Sequence, residues 1–480
     1  MTIERAGYLP GLKTDDINWQ AETYGPPGAD TTVLLPLLSK MQAVHLSGQV
    51  REQAQRHLKS KPVGQIVDII DRAIARLLDR NDPYRRRMDD LLPIISGYDR
   101  DMVRLGLTSY LKTFRRPQLQ RFLAEDFANP AILDGFQALP KGGLGRAFGP
   151  DILAHIWAGN VPGLPLWSMV AGLLVKAGNI GKLPTAEPLF AGWFAQLLGE
   201  IEPDLADCLA VVWWRGGDTE LESAVLNEAD LVLGYGHDQS LAAIQSRIPI
   251  TKRFLAFGHK VSFAMVSAAA LKANKARMTA RLAAHDVARY DQQGCYSPHV
   301  IFVGSGGAVS PEKFAQYLAH ELEVFEKKFP INPLSLAEVS AIAAWRSVEE
   351  MTPGGEVFRS ASGAWTVSYQ CADKTFQPSC LNRTIKVIAV ETLADVPPII
   401  APFRALLQTV GIAAAPGELL SLSEALGRVG VTRIASLGDM TSPEAGWHHD
   451  GRFNLLDLIK ITEIDGRAEH AADRLASYDE

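Results

Sequence analysis

Ile152-Leu153-Ala154-His155-Ile156-Trp157-Ala158-Gly159-Asn160-Val161-Pro162-Gly163 decides the fold. The first seven residues carry one polar side chain and read as a strand buried on both faces. Gly159-Asn160 and Pro162-Gly163 read as the turn that ends it. A helix follows, with Leu166, Met169, Val170, Leu173 and Leu174 at spacings of three and four and a stop at Gly178. Residues 179–184 form a short strand, and a second amphipathic helix carries Leu189, Phe190, Trp193, Phe194, Leu197 and Leu198. Residues 208–214 and 229–236 read as further strands, the latter opening into a helix over 238–246. Strands alternating with helices predict an α/β fold with a parallel, doubly wound sheet. Such sheets bind ligands beyond the carboxyl ends of their strands. Asn160, Lys182, Gly234 and Gly236 stand just past strand ends, where a dinucleotide would be held. The pair Gly234-Tyr235-Gly236 lacks the full G-x-G-x-x-G spacing and is weak by itself. Lys182, ahead of a Pro184-Thr185 turn, either reaches ribose or phosphate oxygens or is a surface lysine on an edge.

Downstream, residues 252–257 read as a strand, a turn lies at Gly258-His259-Lys260, and residues 261–266 are a strand again. A helical stretch then leads to Asp291-Gln292-Gln293-Gly294-Cys295-Tyr296-Ser297-Pro298-His299, where one cysteine sits at a tight bend before an apolar run. A free cysteine is most often an inert buried residue. Between a glycine and a proline it is instead a candidate nucleophile, exposed at a turn and able to ionise. Ser310-Pro311-Glu312 starts a helix, and strands return at 365–369 and 385–390. Upstream, Ile66, Ile69, Ile70, Ile74 and Leu77 mark a helix within a charged helical region over 63–127. Arg85-Arg86-Arg87 there suits a phosphate clamp or, more commonly, a solvated helix face. Residues 1–60 carry turn signals and an apolar run without a clear period.

The 480 residues call for more than one core. Three units are expected: a helical region with a dinucleotide-binding domain over 1–256, a catalytic domain over 257–435, and a return segment over 436–480. A net charge of −6 leaves no basic field for nucleic acid. No apolar run suffices for a membrane span, and the first residues lack the apolar core of a signal peptide. Cys208, Cys295, Cys371 and Cys380 show no C-x-x-C pairing. That argues against a disulfide frame or a metal site and suits a cytoplasmic location.

Taken in order from Gly159 to Arg452, the chain resembles the aldehyde dehydrogenase superfamily. The matching pieces are Gly159-Asn160, Lys182, the Gly234 turn, Leu255-Ala256-Phe257-Gly258-His259-Lys260, Gln293-Gly294-Cys295 and the segment from Pro443 to Arg452. His155 to Pro162, Gly294 to His299 and Gly446-Trp447-His448-His449-Asp450-Gly451 look like the long-chain acyl-CoA reductase branch. The first 140 residues add little to the match.

The resemblance implies a Rossmann-type cofactor domain, an α/β catalytic domain and a homo-oligomer. It implies that Cys295 takes the acyl group as a thioester. Asn160 and the Cys295 N–H would form the oxyanion hole. Lys182 and Thr185 would hold the adenosine ribose or its phosphate, with Gly234 and Gly236 admitting the pyrophosphate. Acyl-CoA or another acyl thioester is the implied substrate, together with an acyl-donor partner protein. Two departures stand out. Ala256 occupies the position of the superfamily's water-activating glutamate, so the acyl-enzyme would wait for hydride. Leu381-Asn382-Arg383-Thr384 holds no carboxylate where relatives orient the nicotinamide ribose, and Glu356 is only a distant substitute.

The expected activity is therefore NAD(P)H-dependent reduction of an acyl thioester to the aldehyde. NADPH is placed before NADH because no carboxylate stands three residues past Lys182, although Glu187 lies near enough to oppose a 2′-phosphate. His259 and His299 are the candidates for proton transfer, or else structural histidines bonded to backbone. The alternatives are a cysteine-dependent acyltransferase without hydride transfer, and a non-acylating aldehyde dehydrogenase, against which Ala256 argues.

Overall fold

The structure, a computed structural model, describes residues 2–476. Five parallel strands form one sheet, in the order Arg253–Phe257, Leu231–Tyr235, Ile152–Ile156, Gly178–Lys182 and Leu209–Val212. Helices cover both faces, which is why these strands read as continuous apolar runs. Pro165–Leu174 and Phe190–Ile201 pack with Leu153, Leu209 and Leu233 on one face. Lys40–Gln53 and Thr219–Glu228 pack with Ile152, Ala154 and Val232 on the other. Chain order reverses between Ile152–Ile156 and Leu231–Tyr235. The ligand crevice of such a sheet therefore lies at the loops carrying Asn160 and Gly236.

A second sheet has seven strands, ordered Gly355–Arg359, Thr366–Gln370, Thr384–Val390, Pro298–Gly304, Val261–Val266, Leu407–Ala413 and Arg433–Ser436. Only the first pair is antiparallel. The sheets part at Gly258-His259-Lys260, so Phe257, expected to open the second unit, is the last residue of the first sheet. After Ser436 the chain returns. Lys460–Ile464 pairs antiparallel with Leu144–Phe148, and Arg253 donates to the carbonyls of Asp457 and Ile459.

Residues 1–60 contribute strands Thr2–Arg5, Asn18–Tyr24 and Thr31–Leu37 and the helix Lys40–Gln53. Tyr8 exchanges both backbone hydrogen bonds with Val211, at 2.9 and 2.8 Å, and so covers the free edge of the first sheet. Arg85 fits neither reading of the arginine run. It is 1% exposed, with Nε on Asp89 at 2.8 Å, one nitrogen on the Leu77 carbonyl at 3.0 Å and another on Thr108 Oγ1 at 2.7 Å. Full pairing is what makes a buried guanidinium tolerable. It ties Pro83–Ser96 to Val63–Leu78 and Arg100–Lys112. Among the described residues no helix is long and apolar enough to cross a membrane.

Candidate active site

Cys295 stands at the amino end of strand Pro298–Gly304, whereas Asn160 follows the carboxyl end of Ile152–Ile156. Gly294 is required by its neighbour, because a Cβ there would lie 2.4 Å from the Tyr296 ring. The bend itself is made earlier, by Tyr290, Asp291 and Gln292, all with φ between 49° and 69°. Asn160 Nδ2 donates to the Gln293 carbonyl at 2.8 Å, which ties the two sheets together two residues before the thiol. Its second N–H is the donor an oxyanion would take. Tyr98 Oη donates to the Asn160 carbonyl at 2.7 Å.

A cavity of about 440 Å³ opens on Cys295, within the usual range for small-molecule sites of about 300–1,000 Å³. Tyr110, Trp167, Tyr235, Tyr290, Tyr296 and Trp447 stand in its wall, together with exposed Lys112 and Arg121. The first 140 residues, given no role from the sequence, supply one side through helix Arg100–Lys112. Gly106 is indispensable there: a Cβ would fall 1.9 Å from the Tyr290 hydroxyl. Among the described residues lining the cavity, Glu444 is the only carboxylate. Its side chain is 82% exposed and pairs with Arg121 at 3.0 Å.

The thiol differs from the exposed, ionisable group expected of a turn. Cys295 is half-buried, and burial pushes its pKa up to about 11. The Gln408 amide and the cysteine's own N–H pull the other way, while Asp450 adds to the rise. Gln408 Nε2 donates to Asp450 Oδ1 at 2.6 Å and its Oε1 has no partner. Cys208 is buried just ahead of the edge strand Leu209–Val212 and lines no part of the cavity, its Sγ on the Asp204 carbonyl at 3.2 Å.

Neither expected histidine lines the cavity. His299 is buried with Nδ1 accepting from the Ser379 N–H at 3.1 Å, and burial pushes its pKa down to about 4. His259 is exposed, and its backbone N–H donates to Asp238. His449 is the histidine of the cavity wall, stacked on Phe257 at 4.7 Å and 12°. Burial lowers its pKa, against an opposing pull from Asp450. Its only trace in the sequence was membership of the Gly446–Gly451 motif. Ala256 lies in strand Arg253–Phe257 and is not among the residues lining the cavity. Leu255 and Phe257 point to the Trp167 face of the sheet and Phe254 to the other. Strand alternation puts Ala256 with Phe254, so Phe257 is the residue that turns toward His449.

The acyl-CoA reductase (LuxC) family model matches residues 58–461. The chain belongs to the acyl-CoA reductase (LuxC) family. It is 26% identical to a long-chain acyl-protein thioester reductase of Aliivibrio fischeri, across 80% of this chain and 78% of that protein. With that of Photorhabdus luminescens it shares 25% identity, across 83% and 81%. Solved aldehyde dehydrogenases share the fold. Aldehyde dehydrogenase 21 of Physcomitrella patens superposes with a TM-score of 0.74 at 13% identity, covering 97% and 99% of the two chains. An NADP complex of glyceraldehyde-3-phosphate dehydrogenase from Methanocaldococcus jannaschii gives 0.68 at 13% identity, covering 90% and 95%.

In this LuxC-family chain the ends of the first sheet fit a dinucleotide. Gly236 has φ 157°, and a Cβ there would meet nothing within 4 Å, leaving a cradle at the end of its strand. Gly234 is needed for packing, since a Cβ would lie 2.9 Å from Leu241 and Phe254. Lys182 lies over the Trp214 ring at 5.8 Å, and burial lowers its pKa. Exposed Thr185 accepts from Trp213 Nε1 at 3.2 Å through its hydroxyl. Glu187, read as near enough to oppose a 2′-phosphate, is buried and accepts from the N–H groups of Leu189 and Phe190 at 2.9 Å. Arg215, which sequence reasoning passed over, is exposed just past strand Leu209–Val212, beside the strand of Lys182. Glu356 lies exposed on the edge strand Gly355–Arg359.

Proposed function

We propose that this chain reduces an acyl thioester to its aldehyde through a thioester on Cys295, with NADPH preferred to NADH as hydride donor. The observation that carries the reading is the aromatic cavity opening on Cys295 with no buried carboxylate in its wall. An acyl chain gains from burial there, and water in it meets no buried carboxylate to take its proton.

The Cys295 thiol passes its proton to the His449 imidazole in the same cavity and attacks the thioester carbonyl, and the oxyanion is met by the Asn160 amide and the Cys295 N–H. The bond to the donor sulfur breaks and that sulfur leaves as a thiolate, so no strong acid is needed. Hydride for the acyl carbon would come from a reduced nicotinamide held at the ends of the first sheet. Collapse of the resulting thiohemiacetal releases aldehyde and returns the Cys295 sulfur, and His449 is the cavity group placed to carry the proton. Lys182, Thr185 and Gly236 would hold the dinucleotide, and Arg215 with Lys182 would favour a 2′-phosphate. Its likeness to long-chain acyl-protein thioester reductases, within an acyl-CoA reductase family, favours an acyl group delivered by a protein as well as by CoA.

The absence of a carboxylate from Leu381 to Thr384 favours one rival, a cysteine acyltransferase without hydride chemistry. Mixing the chain with acyl-CoA and each cofactor, and following reduced-nicotinamide absorbance, separates the two. Peptide mass spectrometry should place the acyl adduct on Cys295. An adduct on Cys208, Cys371 or Cys380, or an acyl-enzyme that forms without ever consuming NADPH or NADH, would overturn the reading.

A further inference from the structure

Two left-handed turns lock together beneath Cys295. Tyr290, Asp291 and Gln292 have φ of 49°, 49° and 69°, and Leu381, Asn382 and Arg383 have φ of 64°, 53° and 59°. None of the six is glycine, and such residues persist in this region only where their surroundings over-determine them.

The surroundings here are each other. The Asn382 N–H donates to the Asp291 carbonyl at 3.0 Å. The Gln292 amide brackets Thr384, donating to its carbonyl at 2.9 Å and accepting from its N–H at 3.1 Å. Gln293 Nε2 donates to Asn382 Oδ1 at 3.1 Å. Behind them Arg383 is fully buried. Its Nε and one terminal nitrogen donate to Asp291 Oδ1 at 2.8 and 2.7 Å, it pairs with Glu326, and it donates to the Phe329 carbonyl at 2.8 Å.

We propose that Arg383, aided by Asn382, is a positioning residue for the nucleophile, and that the 381–384 segment fixes the loop carrying Cys295. The missing carboxylate then has a physical counterpart, since the segment's polar groups are engaged with residues 291–293. The same loop holds the Asn160 amide through the Gln293 carbonyl, so one clamp sets both the thiol and the oxyanion donor. This rests on reading Cys295 as the acyl acceptor.

Arg383→Lys keeps the charge and loses the planar fork, and Asn382→Ala removes the Gln293 contact without touching an ion pair. Alkylation of Cys295 by iodoacetamide at pH 8, without acyl donor or dinucleotide, and single-turnover acylation are the two readouts. Loosening the loop lets the thiol relax from about 11 toward its ordinary 9. The thiolate gained is about a hundredfold, offset by about tenfold lower nucleophilicity, so alkylation should rise about tenfold. Acylation should fall by about a hundredfold with KM for the donor unchanged, as misplacement by an ångström does. Opposite signs are the signature. Two rates that fall in parallel with the folded fraction measured by circular dichroism mean a merely structural clamp and overturn the proposal. So do two unchanged rates, or a loss confined to hydride transfer. If Arg383→Lys does not fold, Asn382→Ala decides by the same signs. A wild-type chain that takes no acyl group would sink the proposed function, while the alkylation arm still reads the loop.

Discussion

Ser262 Oγ donates to the Cys295 carbonyl at 2.7 Å and accepts from the Thr409 N–H at 3.1 Å. One buried hydroxyl thus joins Cys295 to strands Val261–Val266 and Leu407–Ala413. Ser262→Ala leaves a carbonyl and an N–H unmatched, at a cost of about 1–3 kcal/mol. The variant should melt at a lower temperature and acylate more slowly. An unchanged acylation rate in the folded variant would show that the carbonyl tether does not set the thiol's position.

The raised pKa of Cys295 sets a pH dependence. At neutral pH the thiol is protonated, so alkylation should climb about tenfold per pH unit and show no plateau below pH 10. The folded chain keeps a proton that an unfolded cysteine releases near pH 9. Stability therefore falls as pH rises from about 9 to about 11. Gln408→Leu removes the group that lowers the pKa, and alkylation at pH 8 should slow further. A plateau near pH 7 would place the thiolate in the resting state instead.

Asn160→Ala should slow acylation about a hundredfold or more, the usual effect of one lost oxyanion donor. Because Asn160 also holds the Gln293 carbonyl, a bond that neither alanine nor aspartate can make, the rate is to be compared with the folded fraction of the same variant. Affinity lost with the single-turnover rate intact would make Asn160 a binding residue only.

His449 and His299 should separate cleanly. His449→Gln should slow turnover by about 10²-fold or more and change the pH–rate profile. In His299→Gln the amide oxygen can still accept from Ser379, so rate should hold while stability drops. The reverse pattern would move proton transfer to the buried ring.

The first sheet was legible because its strands are buried on both faces and glycine or proline punctuates them. Strand Thr31–Leu37 was not, because it contains Pro36 and pairs with the polar strand Asn18–Tyr24. Cys295 and Asn160 could be named from their motifs. His449 could not be given a role, since stacking on Phe257 joins segments far apart in the chain. A sequence match carries no strand face, so it could not say which way Ala256 points. Arg383 looked like an absence, a missing carboxylate, since the groups it serves lie across the fold at Asp291 and Glu326.

The pairing of Leu144–Phe148 with Lys460–Ile464 governs how the chain comes to be folded during synthesis. About 310 residues separate Phe148 from its partner Lys460, roughly 15–60 s of translation at about 5–20 residues per second. For that time one edge of Leu144–Phe148 is a free template for another nascent chain. Folded yield should therefore depend on translation rate and chaperone supply more than on the stability of the finished sheet.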